Sequence, residues 1–452
     1  MSEQSLERSM SPRSGQTISA EKPFSRSFFD KNNAAQRSIY FKVLIGGTFS
    51  IIVVIFAIFP IFWGAIWKTP VRNLQGWVVD FDGGLVGQTV VQALTSQQVS
   101  QAGKVTWSAV PASQFPSGLG QLGEAVLEER TWVAIAIHAG STANLQASYE
   151  NPNVSYDGSS AISVYAAEAR NENAFRSLIR PSAQAALDQI CAAFAKQAVA
   201  RLTSSPNLTA LLTTSPQTVL TPISYTFHIL APYDIPVASA VTFVGLIYQL
   251  ILSFFIVMIC NSAREASGVN RNLTLRSLII ARYVSTFGAY FFLSLFYALL
   301  SLAFQLDFTR KFGHGGFVVF WMLNWAGMLA VGLALESLLT LLTVRFMPFF
   351  MIIWIIANVS VCIFPIEVLP IVFRYGYAMP FYNVSHAVRC IVFGTKNTVG
   401  LNFGVLIAWT AVSCFTLPLI QWFVRRRDII AEGKRVPPRE AKDVKVEDKA
   451  DA

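Results

Sequence analysis

The sequence predicts an α-helical integral membrane protein with six transmembrane helices, arranged as one plus five, and an extracytoplasmic α/β domain between the first and the second. Three observations carry that prediction. One long apolar run stands alone at 43–67, a polar stretch follows over 68–236, and five more apolar runs crowd into 237–424. Each run is long enough to cross a hydrocarbon core ~30 Å thick, which takes about 20 helical residues at ~1.5 Å each. The composition agrees: 53% of the residues are hydrophobic and only 13% are charged, about half the charged fraction of a soluble domain.

Residues 1–42 are rich in Ser, Arg, Gln and Asn without hydrophobic periodicity, which predicts a disordered cytosolic tail. The run at 43–67 is too long, and begins too far along the chain, for a signal peptide. It is expected to stay as an anchor.

Orientation follows from the location of the positive charge, because Lys and Arg in short flanking segments are retained in the cytosol. With the N-terminus cytosolic, the cytosolic segments hold seven Lys/Arg in 1–42, Arg264, Arg271 and Arg276 in one loop, Arg345, and nine from Arg425 onward. This predicts both termini in the cytosol, with 425–452 as a basic, mixed-charge tail. The inserted domain carries nine basic and eleven acidic residues, a balance that argues against nucleic-acid binding.

Three glycosylation candidates, Asn153, Asn207 and Asn383, fall on the side predicted to be external. Of the five cysteines, only Cys191 and Cys390 are expected outside the membrane. Either one bridge or two free thiols fits that placement.

Within the inserted domain a strand-then-helix rhythm predicts a small α/β fold. A β-branched run at 76–80 ends in a glycine turn and leads into helical spacing at 88–98; a strand at 132–138 precedes a helix at 140–147; a strand at 161–165 precedes a long helix at 168–202. Asp80 and Asp82 beside Gly83-Gly84 could bind a metal, but Asp and Gly also suit a plain turn. No HExxH, paired CxxC, GxSxG or GxxxxGK[ST] pattern occurs, and His138, His228, His314 and His386 are isolated in sequence. No enzyme, metal or cofactor is expected, and ATP hydrolysis would need a separate chain.

The five later spans are predicted at 237–260, 277–304, 317–343, 347–365 and 401–424. Charge is costly at bilayer depth, so polar residues inside the spans carry information. Arg282 and Glu336 lie at similar depth near the cytosolic ends of two neighbouring spans. They could pair, or Arg282 could snorkel to the interface while Glu336 faces water or stays protonated. Gln249, Asn324 and Asn358 could line a pathway or form interhelical hydrogen bonds. Ala326, Ala330 and Ala334 place small side chains on one face for close packing.

Between the last two spans, prolines break the chain and 371–395 then alternates apolar residues with Asn383, His386 and Arg389. This pattern predicts an amphipathic external segment, either a surface helix that caps the bundle or a gate.

At these residues a family resemblance becomes specific. Tyr375-Gly-Tyr-Ala-Met-Pro-Phe-Tyr-Asn, Ala387-Val-Arg389, Phe393-Gly-Thr395 and Gly400-Leu-Asn-Phe-Gly-Val-Leu resemble the C-terminal signature of the fungal nitrosoguanidine-resistance membrane proteins. The glycine-flanked run at 76–87, the strand from Trp132 to Ala136 and the segment 225–244 resemble the same family, and the likeness covers about 41–425. That family is similar in layout to ABC-2-type permeases and to bacterial phage-infection-protein-like membrane proteins. The resemblance implies a role in resistance to toxic small molecules in a fungal membrane, and it brings no catalytic motif.

Two function classes follow. One is a permease-like exporter of amphipathic or toxic small molecules, driven by a separate ATPase, an ion gradient or a homo-oligomer. The other is a non-transporting protein that affects lipid organisation or scaffolds others, with indirect resistance. Membrane lipids are the common partner, and the plasma membrane, or another membrane of the secretory pathway, is the expected location.

Overall fold

A computed structural model describes residues 27–96, 105–203 and 206–435. Of the tails expected at 1–42 and 425–452, residues 1–26 and 436–452 lie outside the described residues, as does the end of the helix expected at 88–98, while 425–435 continues the last helix rather than starting a tail. Two compact units divide between Ala57 and Ile58.

Helix α1 (Ala34–Ile66) begins nine residues before the expected span. Ala34, Ala35, Gln36 and Arg37 are strong helix formers with no breaker among them, so the apolar helix extends backwards into the segment expected to be disordered. Arg37 steadies that start by donating to the carbonyl oxygens of Phe28 and Asp30 at 2.8 and 2.6 Å. Most apolar side chains of α1 are exposed, Ile39, Val43, Phe49 and Phe56 among them. An apolar surface of this kind suits lipid.

The polar stretch folds around a five-stranded sheet in the order β2-β1-β3-β4-β5. The strands are β1 (Leu74–Asp80), β2 (Val105–Pro111), β3 (Val133–Ile137), β4 (Ile162–Ala166) and β5 (Tyr225–Ile229). β1 runs parallel to β2 and β3, β4 is antiparallel to β3, and β5 is parallel to β4. The helices are α2 (Leu85–Ser96), α3 (Leu119–Leu127), α4 (Ser141–Glu150) and α5 (Arg180–Leu202).

Alternation along the central strands separates two cores. Val78, Ile135, Val164 and Ile162 pack with Val86, Val90, Phe175 and Leu187 on one face. Val79, Ala134 and Ala136 face the other way, with Leu122 and Val126 of α3, in a core continuous with the membrane helices. Gly87 lets α2 come close: a Cβ there would lie 2.0 Å from Asp80 Oδ1.

The helix expected over 168–202 is interrupted. A 3-10 turn (Glu168–Arg170) comes first, and Asn171 then caps a new start by accepting from the Ala174 amide at 2.8 Å.

The remaining long helices are α6 (Gly245–Ala266), α7 (Leu275–Ala303), α8 (Gly316–Val359) and α10 (Val399–Arg435), with the shorter α9 (Pro380–Phe393) between the last two. Among the described residues, five helices are long and apolar enough to cross a membrane: Ala34–Ile66, Pro236–Ala266, Leu275–Ala303, Thr309–Val359 and Val399–Ala431.

The spans expected at 317–343 and 347–365 are therefore joined, without an intervening loop, in α8. Its Thr343 leaves helical geometry with φ 66° and ψ 162°. The chain doubles back there. Gly327, before the break, sits against α9, where a Cβ would lie 3.0 Å from Val384 Cγ2. Asn358, after it, accepts from the Phe381 amide of the same helix at 3.2 Å. In a straight helix, residues 31 positions apart would be separated by ~46 Å, whereas Phe381 and Val384 are about one turn apart. Thr343 thus divides an arm of 27 residues (316–342) from an arm of 16 (344–359). The second arm stops short of the expected 365 because prolines 365 and 370 bring in short 3-10 turns.

Candidate functional site

Near the end of the bundle remote from the sheet, three ionisable side chains meet in the interior. Arg282 of α7 donates from Nε to Glu336 Oε1 of α8 at 2.8 Å, and Arg264 of α6 lies 2.9 Å from the same oxygen. Glu336 is fully buried and the two arginine side chains are 3% and 11% exposed. Arg282 Nη2 also donates to the Glu336 carbonyl at 2.8 Å and to Thr340 Oγ1 at 2.9 Å, while Nη1 donates to Gln421 of α10. Three helices therefore meet at one carboxylate and α10 joins them through Arg282; the carboxylate's Oε2 has no hydrogen-bond partner among the described residues. Arg282 does not snorkel.

Arg264 was expected in a loop, but nothing breaks the helix between Cys260 and Gly268, whose φ of 70° ends it. That glycine was the signal in the sequence for a third partner. Close packing on α8 also uses a glycine, on the side opposite Ala326, Ala330 and Ala334: a Cβ on Gly332 would lie 2.1 Å from Tyr290 Oη. Tyr290 uses the space to donate to the Ser253 carbonyl at 3.1 Å.

Gln249 of α6 donates to Asn324 Oδ1 of α8, and Asn324 Nδ2 returns to the Phe320 carbonyl at 2.8 Å. Asn358 donates to the Trp354 carbonyl at 2.9 Å besides receiving the Phe381 amide. All three are buried and tie helices together.

The segment expected to be an amphipathic surface element is instead interior. Twelve of the fourteen residues of α9 are buried, because α8 and α10, the turn at 309–312 and the 168–172 segment of the inserted domain pack around it and cover the face that alternation alone would leave to solvent. Arg389, 4% exposed, donates to the Ala169 carbonyl at 3.0 Å and forms an ion pair with Glu172. Burial works to raise the Glu172 carboxyl, but the charge and hydrogen bond of Arg389, a backbone hydrogen bond and Arg176 together outweigh it and the group ends below its usual value.

Arg389 shares a cavity of about 40 Å³ with Glu129, Trp132, Arg170, Glu367 and His386. Arg170 stacks 3.4 Å above the Trp132 ring and lies 3.8 Å from Glu129. Burial pushes Glu129 up, and it drives His386 down to about 3, with Arg389 and Arg170 adding to the shift. His386 packs on Tyr382 with centroids 4.3 Å apart.

Asn383 is 2% exposed, and its Nδ2 donates to the carbonyls of Tyr377 and Met379 at 3.0 and 2.9 Å. It is closed to a glycan. Asn153 is exposed, with its Oδ1 accepting from Ser155, whereas Asn207 Nδ2 donates to the Glu150 carbonyl at 3.0 Å. Cys191 and Cys390 are both free thiols.

In the sheet domain, Asp80 Oδ1 accepts from the amides of Asp82 and Gly83 at 2.9 Å, and Asp82 accepts from the Thr142 amide at 3.0 Å. The pair builds a turn, and no metal-holding group occurs among the described residues. Two histidines isolated in sequence are brought together: His138 Nε2 lies 2.8 Å from Ser163 Oγ, which lies 3.0 Å from His228 Nε2. Burial, with His228, lowers His138. A cleft of about 200 Å³ between α2, α4 and α5 is lined by Val86, Leu145, Phe194, Leu202, Gln146 and Arg201. The Tyr149 hydroxyl lines it too, without a hydrogen-bond partner among the described residues and pushed up to about 12 by burial.

Several long apolar helices, a sheet domain inserted among them and a charge cluster sealed in their core define a multi-pass membrane protein. Residues 48–415 match one family model, described as "Protein of unknown function (DUF3533)". The chain belongs to that family. It is also similar to an uncharacterised endoplasmic reticulum membrane protein of Saccharomyces cerevisiae, 27% identical over 438 residues, covering 90% of this chain and 84% of the relative. No solved structure matches. Neither description speaks of nitrosoguanidine resistance or of ABC-2 permeases.

Proposed function

We propose that this protein is a permease-like exporter of amphipathic or toxic small molecules, conferring resistance, as the likeness to nitrosoguanidine-resistance proteins implies. The observation that carries the reading is Glu336. A fully buried carboxylate held by two guanidinium groups, with one oxygen unpartnered among the described residues, is costly at bilayer depth and is the kind of buried charge that marks a transport path.

In this reading the sheet domain is extracytoplasmic, both termini are cytosolic, and the cleft beside Tyr149 receives the exported molecule. Energy comes from an ion gradient through Glu336, from a separate ATPase or from a homo-oligomer; the chain itself is not an enzyme and binds no nucleic acid. The name of the yeast relative favours the endoplasmic reticulum within the secretory pathway over the plasma membrane.

The test is efflux of amphipathic dyes from liposomes holding the purified protein, with and without a proton gradient, beside Glu336→Gln. Gradient-driven efflux by the unaltered protein supports export, and its loss in Glu336→Gln protein that is still folded after reconstitution assigns the gradient to Glu336. No efflux under any gradient, with altered lipid asymmetry in cells lacking the protein, supports the non-transporting reading instead.

A further inference from the structure

At the end of the bundle remote from the sheet, a cavity of about 280 Å³ opens between the start of α7 and the last turns of α10. Leu275, Trp422, Arg425, Arg426, Ile429 and Ile430 line it. No acidic residue is among them, although Asp428 is close in sequence; it lies 3.9 Å from Arg427 and so turns toward a different arginine.

Arg425 is fixed in place because Nη2 donates to the Leu273 carbonyl at 2.8 Å. Its Nη1 is buried and has no hydrogen-bond partner among the described residues. A buried, charged donor left open costs free energy that an anion would recover. Arg426 adds a second guanidinium and stacks 5.5 Å from the Trp422 ring. Leu275 is the first residue of α7, a helix of 29 residues, whose N-terminal dipole adds a favourable field for negative charge.

The apolar members give the cavity a second character. Trp422, Ile429 and Ile430 are 46%, 62% and 51% exposed and sit beside the arginines rather than apart from them. Free phosphate has no use for such a rim, whereas a lipid brings a glycerol and acyl chains next to its phosphate. Tryptophan beside arginine is also the pairing that suits a bilayer interface.

We propose that this cavity binds the phosphate group of an anionic membrane lipid, with Arg425 and Arg426 holding the phosphate and Trp422, Ile429 and Ile430 holding the adjoining apolar part. The inference rests on the bundle crossing a membrane and not on transport, so failure of the efflux test leaves it standing.

The test uses the full-length protein in detergent-lipid micelles, with tryptophan quenching by brominated phosphatidic acid or brominated phosphatidylcholine. The Trp422 signal is the difference between the unaltered protein and Trp422→Phe. Phosphatidic acid should quench it at a lower mole fraction than phosphatidylcholine. Arg425→Gln and Arg426→Gln should each raise the half-quenching mole fraction about fivefold, the worth of one basic residue at an anionic surface. Arg426 is exposed, so its variant keeps the fold and the test remains decisive if Arg425→Gln misfolds. Equal quenching by the two lipids, or indifference to Arg426→Gln, overturns the proposal. Reversal of the quenching by millimolar inorganic phosphate overturns the lipid as the source of the phosphate group.

Discussion

Arg389 and Glu172, 217 positions apart in the chain, form an ion pair that joins α9 to the segment leading into α5. The pair sits at the seam between the sheet domain and the membrane helices, and the guanidinium also holds the Ala169 carbonyl. The guanidinium is therefore one link between the two parts, beside the donations of Asn171 and Asn173 to the Ile363 carbonyl. Arg389→Gln leaves Glu172 in a largely buried place without its counter-charge, and the expected loss is about 3 kcal/mol. Faster proteolysis between 168 and 180 in the variant, with a lower Tm in detergent, checks this. Unchanged cleavage would show that the seam holds without the pair.

Glu336 is the shared counter-charge of two guanidinium groups, so its removal is more damaging than the loss of a single pair. Glu336→Gln should destabilise the bundle by about 3–5 kcal/mol. Exchanging the charges of Arg282 and Glu336 should not restore stability, because Arg264 would then face an arginine at 336 across the present 2.9 Å contact. Adding Arg264→Gln to the exchange should recover most of the loss. Thermal unfolding of the four proteins settles the order.

Thr343 holds a β-branched side chain at φ 66° and ψ 162°, a region that glycine enters freely and other residues at a cost of about 1–3 kcal/mol. Thr343→Gly should therefore leave the Tm unchanged or raise it. A straight helix at this place would lose about 1 kcal/mol from the same substitution, so a clear fall in Tm would refute the turn.

His386 is held neutral, its value driven down to about 3 by burial first and then by Arg389 and Arg170. The unfolded chain takes up a proton near pH ~6.5 that the folded chain refuses. Stability is then complete above that pH and falls as the solution is acidified toward the folded value, by up to about 1.4 kcal/mol per pH unit. Glu129 and Glu367 line the same cavity, and the raised Glu129 gains protons over part of the same range, which offsets some of the loss. His386→Gln should flatten the fall in Tm between about pH 7.5 and about pH 5.

Asn153 is exposed and Asn383 is closed. If the sheet domain faces the lumen, Asn153→Gln should remove a glycosidase-sensitive shift in gel mobility, and Asn383→Gln should leave it in place. A shift that survives Asn153→Gln but not Asn383→Gln would contradict the burial.

The membrane helices were legible in the sequence because the bilayer demands long apolar runs, and each run overlaps a long helix, although α1 starts nine residues earlier and α10 continues to Arg435. The central strands β1, β3 and β4 were legible for a similar reason, as short β-branched or apolar runs. The edge strands β2 and β5 were not. Val105–Pro111 and Tyr225–Ile229 are each partly exposed, and a half-covered strand mixes polar residues in a way that a loop also does. The meeting of Arg282 with Glu336 could be read from their matched depth, whereas Arg264 was hidden by placing the helix end too early. α9 was misjudged because alternation reports which faces differ, and a neighbouring segment such as 168–172 can cover the polar face as well as water can. Partners such as Ser163 between His138 and His228 come from strand pairing, which leaves no local trace.

The turn at Thr343 bears on how the chain enters a membrane during synthesis. The arm from 344 to 359 is about 24 Å long at ~1.5 Å per residue, shorter than the hydrocarbon layer it faces, and no loop separates it from the arm before it. Alone it would be a poor substrate for insertion. Delivered as one unit with the 27-residue arm, it needs no independent stop or start signal, and the two passes become a single biosynthetic event.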